Sequence, residues 1–296
     1  MTSEALQQLV AGLRAGGPDL SAPPPEARAS FSAMVAAAPV APDLHFERIE
    51  LGGVPALAST SPGARTDQAL VYLHGGAFVV GSAQDYRTLS AELGRAANLR
   101  AISVDYALAP EQPFPAAVDT ALAAYKALLA QGMAARDIVL AGDSAGGGLV
   151  VSLLVAARDA GLPLPAAALC ISPWVDLACT GASAVSKAAV DPSLAREGLL
   201  YMAGQYLQGQ SATHPLASPL HADLRGLPPL LLQVGSAEIL LDDATRLAGV
   251  AAHADVPVTL EVWPDMVHVW HFFSFMLPEG REALQAAGRF LRRHLG

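Results

Sequence analysis

The stretch IVLAGDSAGGGLVVSLLVAA, residues 138–157, combines the signals of a strand, a tight turn and a helix. Residues 138–141 are apolar or β-branched and favour a buried strand. The residues from Ala145 onward favour a helix, so Ser144 lies at a strand-to-helix turn between glycines that leave room for neighbouring backbone. Such a turn exposes the serine hydroxyl at a helix N-terminus, where developing negative charge is favoured.

The G-x-S-x-G pattern is a weak signal alone, and the alternative interpretation is a glycine-rich phosphate loop. No lysine follows in the order Gly-Lys-Ser/Thr, and G-x-G-x-x-G does not fit GDSAGGG. The sequence therefore favours a nucleophile at Ser144. A serine hydroxyl is a poor nucleophile near neutral pH, so this hypothesis requires a general base and a group that orients the base.

Apolar runs alternate with amphipathic segments from residue 69 onward, after two strand-like runs joined at Gly52-Gly53 in a predicted hairpin. Strands that are apolar throughout, each followed by a helix, predict an α/β fold with a mostly parallel sheet covered on both faces. The predicted strands are residues 45–51, 54–60, 69–74, 100–106, 137–142, 166–172, 228–235 and 258–264, and the predicted helices are 86–98, 116–132, 145–161, 242–254 and 279–295.

Two segments interrupt this alternation. The N-terminal segment predicts two short helices, and the linker between them, which includes Pro23, Pro24 and Pro25, is expected to be non-helical. Residues 176–210 are helical in composition and contain no clear strand, so both segments are expected to cover the carboxyl ends of the strands. The predicted division is a catalytic core of residues 45–175 and 211–296 and a helical cap of residues 1–44 and 176–210.

Composition excludes several classes of partner. Hydrophobic residues make up 52% of the chain, and the net charge of −9 would repel a polyanion, so nucleic acid is not expected as a partner.

The cellular location is predicted from other features. The chain has two cysteines, Cys170 and Cys179, which are expected to be reduced thiols in the cytosol. The N-terminus lacks the pattern of a secretion signal, and the longest apolar stretch, residues 145–157, is too short to span a bilayer. We therefore expect a soluble cytoplasmic protein.

A second glycine-rich turn, YLHGGAFVVGS at residues 72–82, follows a predicted strand. Backbone N–H groups in such a turn can face an oxyanion, and Gly75 and Gly76 permit close approach of the substrate. His74 is expected to hold this loop in place, because the amides rather than the imidazole would stabilise the charge.

Five motifs together resemble the hormone-sensitive-lipase branch of the α/β hydrolases, the bacterial family IV esterases. They are HGGAF at 74–78, DYALAPEQPFPAAVDT at 105–120, GDSAGG at 142–147, ISPWVDL at 171–177 and WPDMVHVW at 263–270. The resemblance extends from about Leu70 to the C-terminus. It implies an α/β-hydrolase fold, with a mostly parallel eight-stranded sheet, helices on both faces and a helical cap.

The resemblance also implies an oxyanion hole formed by the amides of Gly76, Ala77 and Ala145, with His74, Gly75 and Asp143 as structural residues of the motifs. Ala77 replaces the third glycine of the family's H-G-G-G, and it is expected to serve provided that its φ is negative. Ala107 replaces an arginine of the family's Y-R-L-A-P-E, so a stabilising contact is expected to be missing there.

The family's D-x-L-x-D motif aligns with EILLD at residues 238–242, so the resemblance implies that Glu238 is the acid of a catalytic triad. Asp242 and Asp243 are its rivals, but they are better interpreted as the first turn of the next helix. His268 occupies the family's histidine position, and the order Ser144, Glu238, His268 is that of α/β hydrolases.

Three other histidines are given no catalytic role. His271 is expected to face the cap or the surface, and His214 and His221 lie in the loop after the inserted segment. None of them belongs to a recognisable ligand spacing, so we expect no metal site. The reaction that the resemblance implies needs no cofactor, so none is expected.

The resemblance implies a serine carboxylesterase that hydrolyses small, short-chain esters through an acyl-enzyme. Its activity is expected to fall below about pH 6.5, as His268 becomes protonated. An amidase or lactonase would use the same residues, and a receptor similar to the plant gibberellin receptor would lack the histidine that this chain retains. Phe31, Met34, Tyr201 and Tyr206 are predicted to line the pocket, and a homodimer through the edge strand at 257–263 is possible.

Overall fold

The computed structural model describes residues 3–17 and 19–296, and within them the chain forms one sheet of eight strands surrounded by helices. The strands are β1 His45–Leu51, β2 Val54–Thr60, β3 Arg65–Leu73, β4 Leu99–Val104, β5 Ile138–Asp143, β6 Ala167–Ile171, β7 Leu230–Gly235 and β8 Val258–Trp263. The helices are α1 Glu4–Gly16, α2 Pro24–Ala36, α3 Arg87–Ala97, α4 Ala116–Ala130, α5 Ala145–Asp159, α6 Ser183–Ser186, α7 Arg196–Leu207, α8 Leu241–His253 and α9 Pro278–His294.

The strand order is β1-β2-β4-β3-β5-β6-β7-β8. β2 pairs antiparallel with β1 and with β4, and all other pairs are parallel. Gly52 and Gly53 join β1 to β2 with φ of 60° and 85°, values that a two-residue hairpin turn requires and that glycine adopts without strain. The predicted α/β fold with a mostly parallel, eight-stranded sheet is confirmed.

Right-handed crossovers determine which face of the sheet each helix covers. The connection from β3 through α3 to β4 runs in one direction across the sheet, whereas those through α4, α5 and α8 run in the other. α3 therefore lies on the face opposite to α4, α5 and α8, and α9 packs against α3. The apolar strands β5 and β6 are buried on both faces, as their continuous apolar sequences predict.

Two sequence-based expectations about element ends are wrong. Pro24 and Pro25 form the first turn of α2, because a proline at these positions removes only an N–H that has no helical partner. β3 begins at Arg65, four residues before the predicted start at 69, because a polar extension pairs with Leu99 across a register shift. Polar residues at the start of a strand lack the apolar signal on which the prediction relied.

Helix α2 is held over the carboxyl ends of the strands by Arg28. Its guanidinium donates to the carbonyl oxygens of Val79 and Ala109 at 2.8 Å each, and it forms an ion pair with Glu111 at 2.6 Å. The pairing holds the pKa of Glu111 at about 2. A contact was expected to be missing near Ala107, but Arg28 supplies a guanidinium to the same loop from another part of the chain.

The inserted segment covers the same end of the sheet. Tyr206 of α7 stacks on Phe78 with ring centroids 4.0 Å apart and an interplanar angle of 6°. The division into a core and a cap, with the boundaries given above, stays a prediction.

At the far edge of the sheet, Leu260 and Val262 of β8 are exposed, and dimerisation through this strand likewise stays a prediction. Across the described ranges, the helices are too short or too polar to traverse a bilayer.

Replacement by alanine is expected to change the free energy of unfolding in opposite directions at two helical glycines. A Cβ at Gly288 of α9 would clash with the backbone of Ala96 at the end of α3, whereas a Cβ at Gly249 of α8 would meet no neighbour within 4 Å. We expect Gly288→Ala to lower the free energy of unfolding by about 1–3 kcal/mol. Gly249→Ala should raise it by about 0.5–1 kcal/mol, because alanine is the better helix former.

Urea denaturation of both variants measures these changes. Two stabilising results would show that α9 does not pack closely on α3.

Candidate active site

Ser144 occupies the turn between β5 and α5 in a strained conformation, with φ 52° and ψ −123°. Its N–H donates to Ile171 O at 2.8 Å, and its carbonyl accepts from Trp174 N at 2.9 Å, so the turn is fixed by the neighbouring strand. A Cβ at Gly146 would clash with Leu73 O, which explains why a glycine follows the serine by two residues. Such strain costs of order 1–3 kcal/mol and is found at functional turns.

The His268 imidazole lies beside the buried Glu238 carboxylate, with Nδ1 2.7 Å from Oε2. Because a carboxylate only accepts, Nδ1 carries the hydrogen, and Nε2 is the ring nitrogen able to take a proton from a hydroxyl. Burial lowers the pKa of His268, but the charges of Glu238, Asp191 and Asp143 outweigh burial and raise it above its ordinary value.

The second oxygen of Glu238 is also held. Oε1 accepts from Ser172 Oγ at 2.8 Å and from Gly235 N at 2.7 Å. Ser172 Oγ in turn accepts from Val269 N at 3.2 Å, so this hydroxyl connects the carboxylate to the loop of His268. Sequence reasoning missed Ser172. The available signal was a polar residue directly after β6, at the carboxyl edge where the other site residues lie.

The two rival carboxylates bind groups other than His268. Asp242 accepts from Ser183 N at 2.9 Å, and Asp243 accepts from Val175 N at 2.9 Å and from Asp176 N at 3.0 Å. Burial raises the pKa of Asp243 to about 7. Both therefore anchor the inserted segment to the start of α8.

His271 corrects a further expectation, because it faces neither the cap nor the surface. It is fully buried, and its Nε2 is 2.8 Å from Gln233 Oε1. Burial lowers the pKa of His271 to about 3, so the ring is neutral. His271 lies in a 3₁₀ turn at Trp270–Phe273 and its side chain is buried beside Gln233 of β7, which residue spacing alone does not reveal.

The glycine-rich loop after β3 presents consecutive residues with positive φ: 108° at Gly76, 53° at Ala77 and 63° at Phe78. The condition set for Ala77, a negative φ, is therefore not met, so its place in the oxyanion hole depends on its N–H being free. In the described part of the chain, the amides of Gly76, Ala77 and Ala145 donate to no protein acceptor. Gly76 and Ala77 line the same cavity as Ser144, and Ala145 begins α5 beside it.

Asp143 ties this loop to the serine turn. Its Oδ1 accepts from Gly75 N at 2.9 Å and from the Tyr72 hydroxyl at 2.7 Å. Burial raises the pKa of Asp143 to about 6, and the hydrogen bonds from Tyr72 and Gly75 oppose that rise.

His74 lies behind the loop. Its ring stacks on Tyr106 at 4.3 Å, and its Nδ1 donates to Gly75 O at 2.7 Å. Burial lowers the pKa of His74, so the ring is a neutral support for the loop.

The cavity beside Ser144 has a volume of about 90 Å³. Phe31 and Met34 lie in its wall, as predicted, whereas Tyr206 packs on Phe78 and Tyr201 is exposed. The lining is mostly apolar: Leu13, Leu20, Phe31, Met34, Val35, Gly76, Ala77, Tyr86, Asp143, Ser144, Ser193, Leu194, Leu199, His268, Val269, Phe272 and Phe273. Among residues 3–17 and 19–296, no three His, Cys, Asp or Glu side chains lie together in a way that could hold a metal ion.

Known proteins that are similar to this chain indicate the same fold as the structure. Residues 70–272 match a family described as having the α/β-hydrolase fold. The chain is 54% identical over 235 residues to an acetyl-hydrolase of Streptomyces hygroscopicus, covering 79% of each protein. It is 36% identical over 253 residues to an esterase of Acinetobacter venetianus, covering 85% of this chain and 83% of that protein.

A crystal structure of an esterase from the bacterial hormone-sensitive-lipase family has a TM-score of 0.96 to this chain and is 47% identical, with 100% of both chains covered. The fold and the matched region define an α/β hydrolase. Within that class, the chain belongs to the bacterial hormone-sensitive-lipase family, as the motifs of its sequence predicted.

The strained alanine of the glycine-rich loop generates a stability prediction. Replacing Ala77 by glycine releases a positive-φ strain of about 1–2 kcal/mol. This gain offsets the lost methyl burial and the greater freedom of the unfolded chain, so the free energy of unfolding should change by less than about 0.5 kcal/mol.

Ala134, with φ −70° and ψ 141°, provides the matched control, since its conformation suits alanine. Ala134→Gly should cost about 0.4–1 kcal/mol. Equal losses in the two variants, measured by urea denaturation, would contradict the strain at Ala77.

Proposed function

We propose that the protein is a serine carboxylesterase that hydrolyses small esters of short acyl chains, with Ser144 as nucleophile, His268 as general base and Glu238 as the acid that orients it. The main support for this proposal is the contact of 2.7 Å between His268 Nδ1 and Glu238 Oε2, because His268 lines the same cavity as Ser144. Relatives named acetyl-hydrolase and esterase support ester hydrolysis.

In the proposed reaction, His268 Nε2 takes the Ser144 proton as Oγ attacks the ester carbonyl. The amides of Gly76, Ala77 and Ala145 stabilise the tetrahedral oxyanion, and the alcohol leaves after it receives the proton from His268. Water, activated by the same imidazole, then cleaves the acyl-enzyme and releases the acid. Glu238 orients the imidazole and stabilises the imidazolium.

Two features support a short acyl group. The cavity is small, and its wall consists mainly of apolar side chains, with few polar groups besides those assigned to the chemistry. A related solved structure, 43% identical to this chain, is described as soaked with p-nitrophenyl butyrate, an ester of a four-carbon acid.

The other candidates are an amidase or lactonase using the same residues and a receptor without catalysis. The retained contact between His268 and Glu238 disfavours the receptor, since binding alone needs no oriented base. Amides and lactones require comparison with esters in one assay, because the same three side chains serve all of these substrates.

The substrate prediction is tested with p-nitrophenyl esters from acetate to palmitate, together with matched anilides and lactones. We expect kcat/KM to be highest for acyl chains of two to four carbons, and Ser144→Ala to reduce it by about 10⁴-fold or more. Asp242→Asn, a carboxylate of the same region that does not contact His268, serves as the folded control. Faster cleavage of anilides or lactones than of esters would favour the alternative enzymes.

The pH dependence follows from the direction of the His268 pKa. The base must be neutral, and its pKa in the folded protein is raised, so kcat/KM should fall as pH drops through a value above about 6.5. The charge of Glu238 contributes to that rise, so Glu238→Gln should move this acid limb to lower pH while decreasing kcat.

A profile of kcat/KM between pH 4.5 and 9 measures both effects. A flat profile down to pH 4.5, or an acid limb that moves to higher pH in Glu238→Gln, would argue against His268 as the base.

A further inference from the structure

Asp191 lies in the inserted segment between α6 and α7, and only 8% of its surface is exposed. Its Oδ1 accepts from Ser193 N at 2.8 Å and from Leu194 N at 3.0 Å. Its Oδ2 accepts from Ile239 N at 2.8 Å, from a residue 48 positions away in the sequence. The first two bonds form a local turn, but the third joins two separate parts of the chain.

The groups that this carboxylate joins belong to the two halves of the site. Ile239 directly follows Glu238, whose side chain holds His268. Ser193 and Leu194 lie in the wall of the cavity beside Ser144. A displacement of this part of the wall is therefore transmitted through the Asp191 side chain to the loop that carries Glu238.

The charge of Asp191 also acts on the site. Its hydrogen-bond donors are backbone amides, which satisfy the carboxylate oxygens but bring no compensating positive charge. Burial raises the pKa of Asp191, and the charge of His268 and the amides of Ile239 and Ser193 oppose that rise.

The charged and titratable groups that face His268 come from several elements. Glu238 follows β7, Asp143 ends β5 and Asp191 lies in the inserted segment, and all three favour the protonated imidazole. His271, from the 3₁₀ turn three residues on, is neutral at the pH where His268 titrates because its own pKa is about 3.

We propose that Asp191 is a positioning residue, which fixes the wall of the acyl cavity to the Glu238 loop and supplies a further buried negative charge to protonated His268. The proposal rests on the proposed function, because it assigns Asp191 to the same triad and the same acyl cavity. Asp191 itself touches no reacting atom in the proposed reaction.

The first test measures the titration of His268 directly and needs no substrate. The ring Cε1–H resonances are followed by NMR against pH, with the His268 signal identified by its loss in His268→Gln. In Asp191→Asn we expect the pKa of His268 to fall by about 0.5–1 unit, the effect of one removed charge at partly screened range. In Asp243→Asn, which alters a carboxylate that also holds backbone amides of the inserted segment, it should stay within about 0.2 unit.

The second test separates geometry from charge with short-chain p-nitrophenyl esters. Asp191→Asn places an amide N–H₂ where an acceptor is needed, so the wall loosens and KM should rise about three- to tenfold, with a smaller change in kcat. The acid limb of kcat/KM should move to lower pH. Asp191→Glu keeps the charge at a changed distance, so its acid limb should stay near that of the unaltered protein while KM still rises.

Unchanged His268 titration and unchanged KM in a folded Asp191→Asn protein would overturn the proposal, and so would equal shifts in Asp243→Asn. If Asp191→Asn fails to fold by circular dichroism, Asp191→Glu decides, and a KM equal to that of the unaltered protein overturns the positioning role. If the unaltered protein hydrolyses no ester, the proposed function fails. The NMR titration still decides whether Asp191 supplies charge to His268.

Discussion

The hydrogen bond between His268 Nδ1 and Glu238 Oε2 joins a fully buried carboxylate to an imidazole at the wall of the cavity. A buried carboxylate is costly unless its oxygens are satisfied, and here Ser172 Oγ and Gly235 N hold the other oxygen. These bonds bring together the ends of β6, β7 and β8. The carboxylate therefore requires three strands to end in register, and it also fixes the tautomer of the His268 imidazole and raises its pKa.

A similar constraint operates at the centre of the sheet, where β3 and β5 end beside each other. Asp143 accepts from Gly75 N, so the residue before the serine determines the position of the glycine-rich loop. The price is backbone strain at Ser144 and at Ala77, both of which have positive φ. The buried strands and α5 keep these conformations in place. As a result, within the described part of the chain, the amides of Gly76, Ala77 and Ala145 have no protein acceptor.

Much of the fold follows from local sequence signals. β1, β2 and the parallel strands have continuous apolar or alternating patterns, and the Gly52-Gly53 turn is recognisable directly. Ser144 and His268 were predictable because each follows a strand within a specific motif. Where local signals ended, prediction failed: the burial of His271 depends on Gln233 of β7, and the bridging role of Ser172 depends on Glu238 and Val269, which are distant in the sequence. Asp191 lies in no recognisable motif, and its partners are backbone amides, which the residue types of a sequence do not reveal.

Covalent trapping tests most directly whether Ser144 is the nucleophile of this site. The protein is incubated with a fluorophosphonate at pH 8, digested and mapped by mass spectrometry, with His268→Gln as the comparison. We expect one phosphonyl group per chain, located on Ser144, and labelling slowed at least about 100-fold in His268→Gln, because general-base assistance is lost. Labelling at another residue, or equal rates in the two proteins, would contradict a Ser144 nucleophile activated by His268.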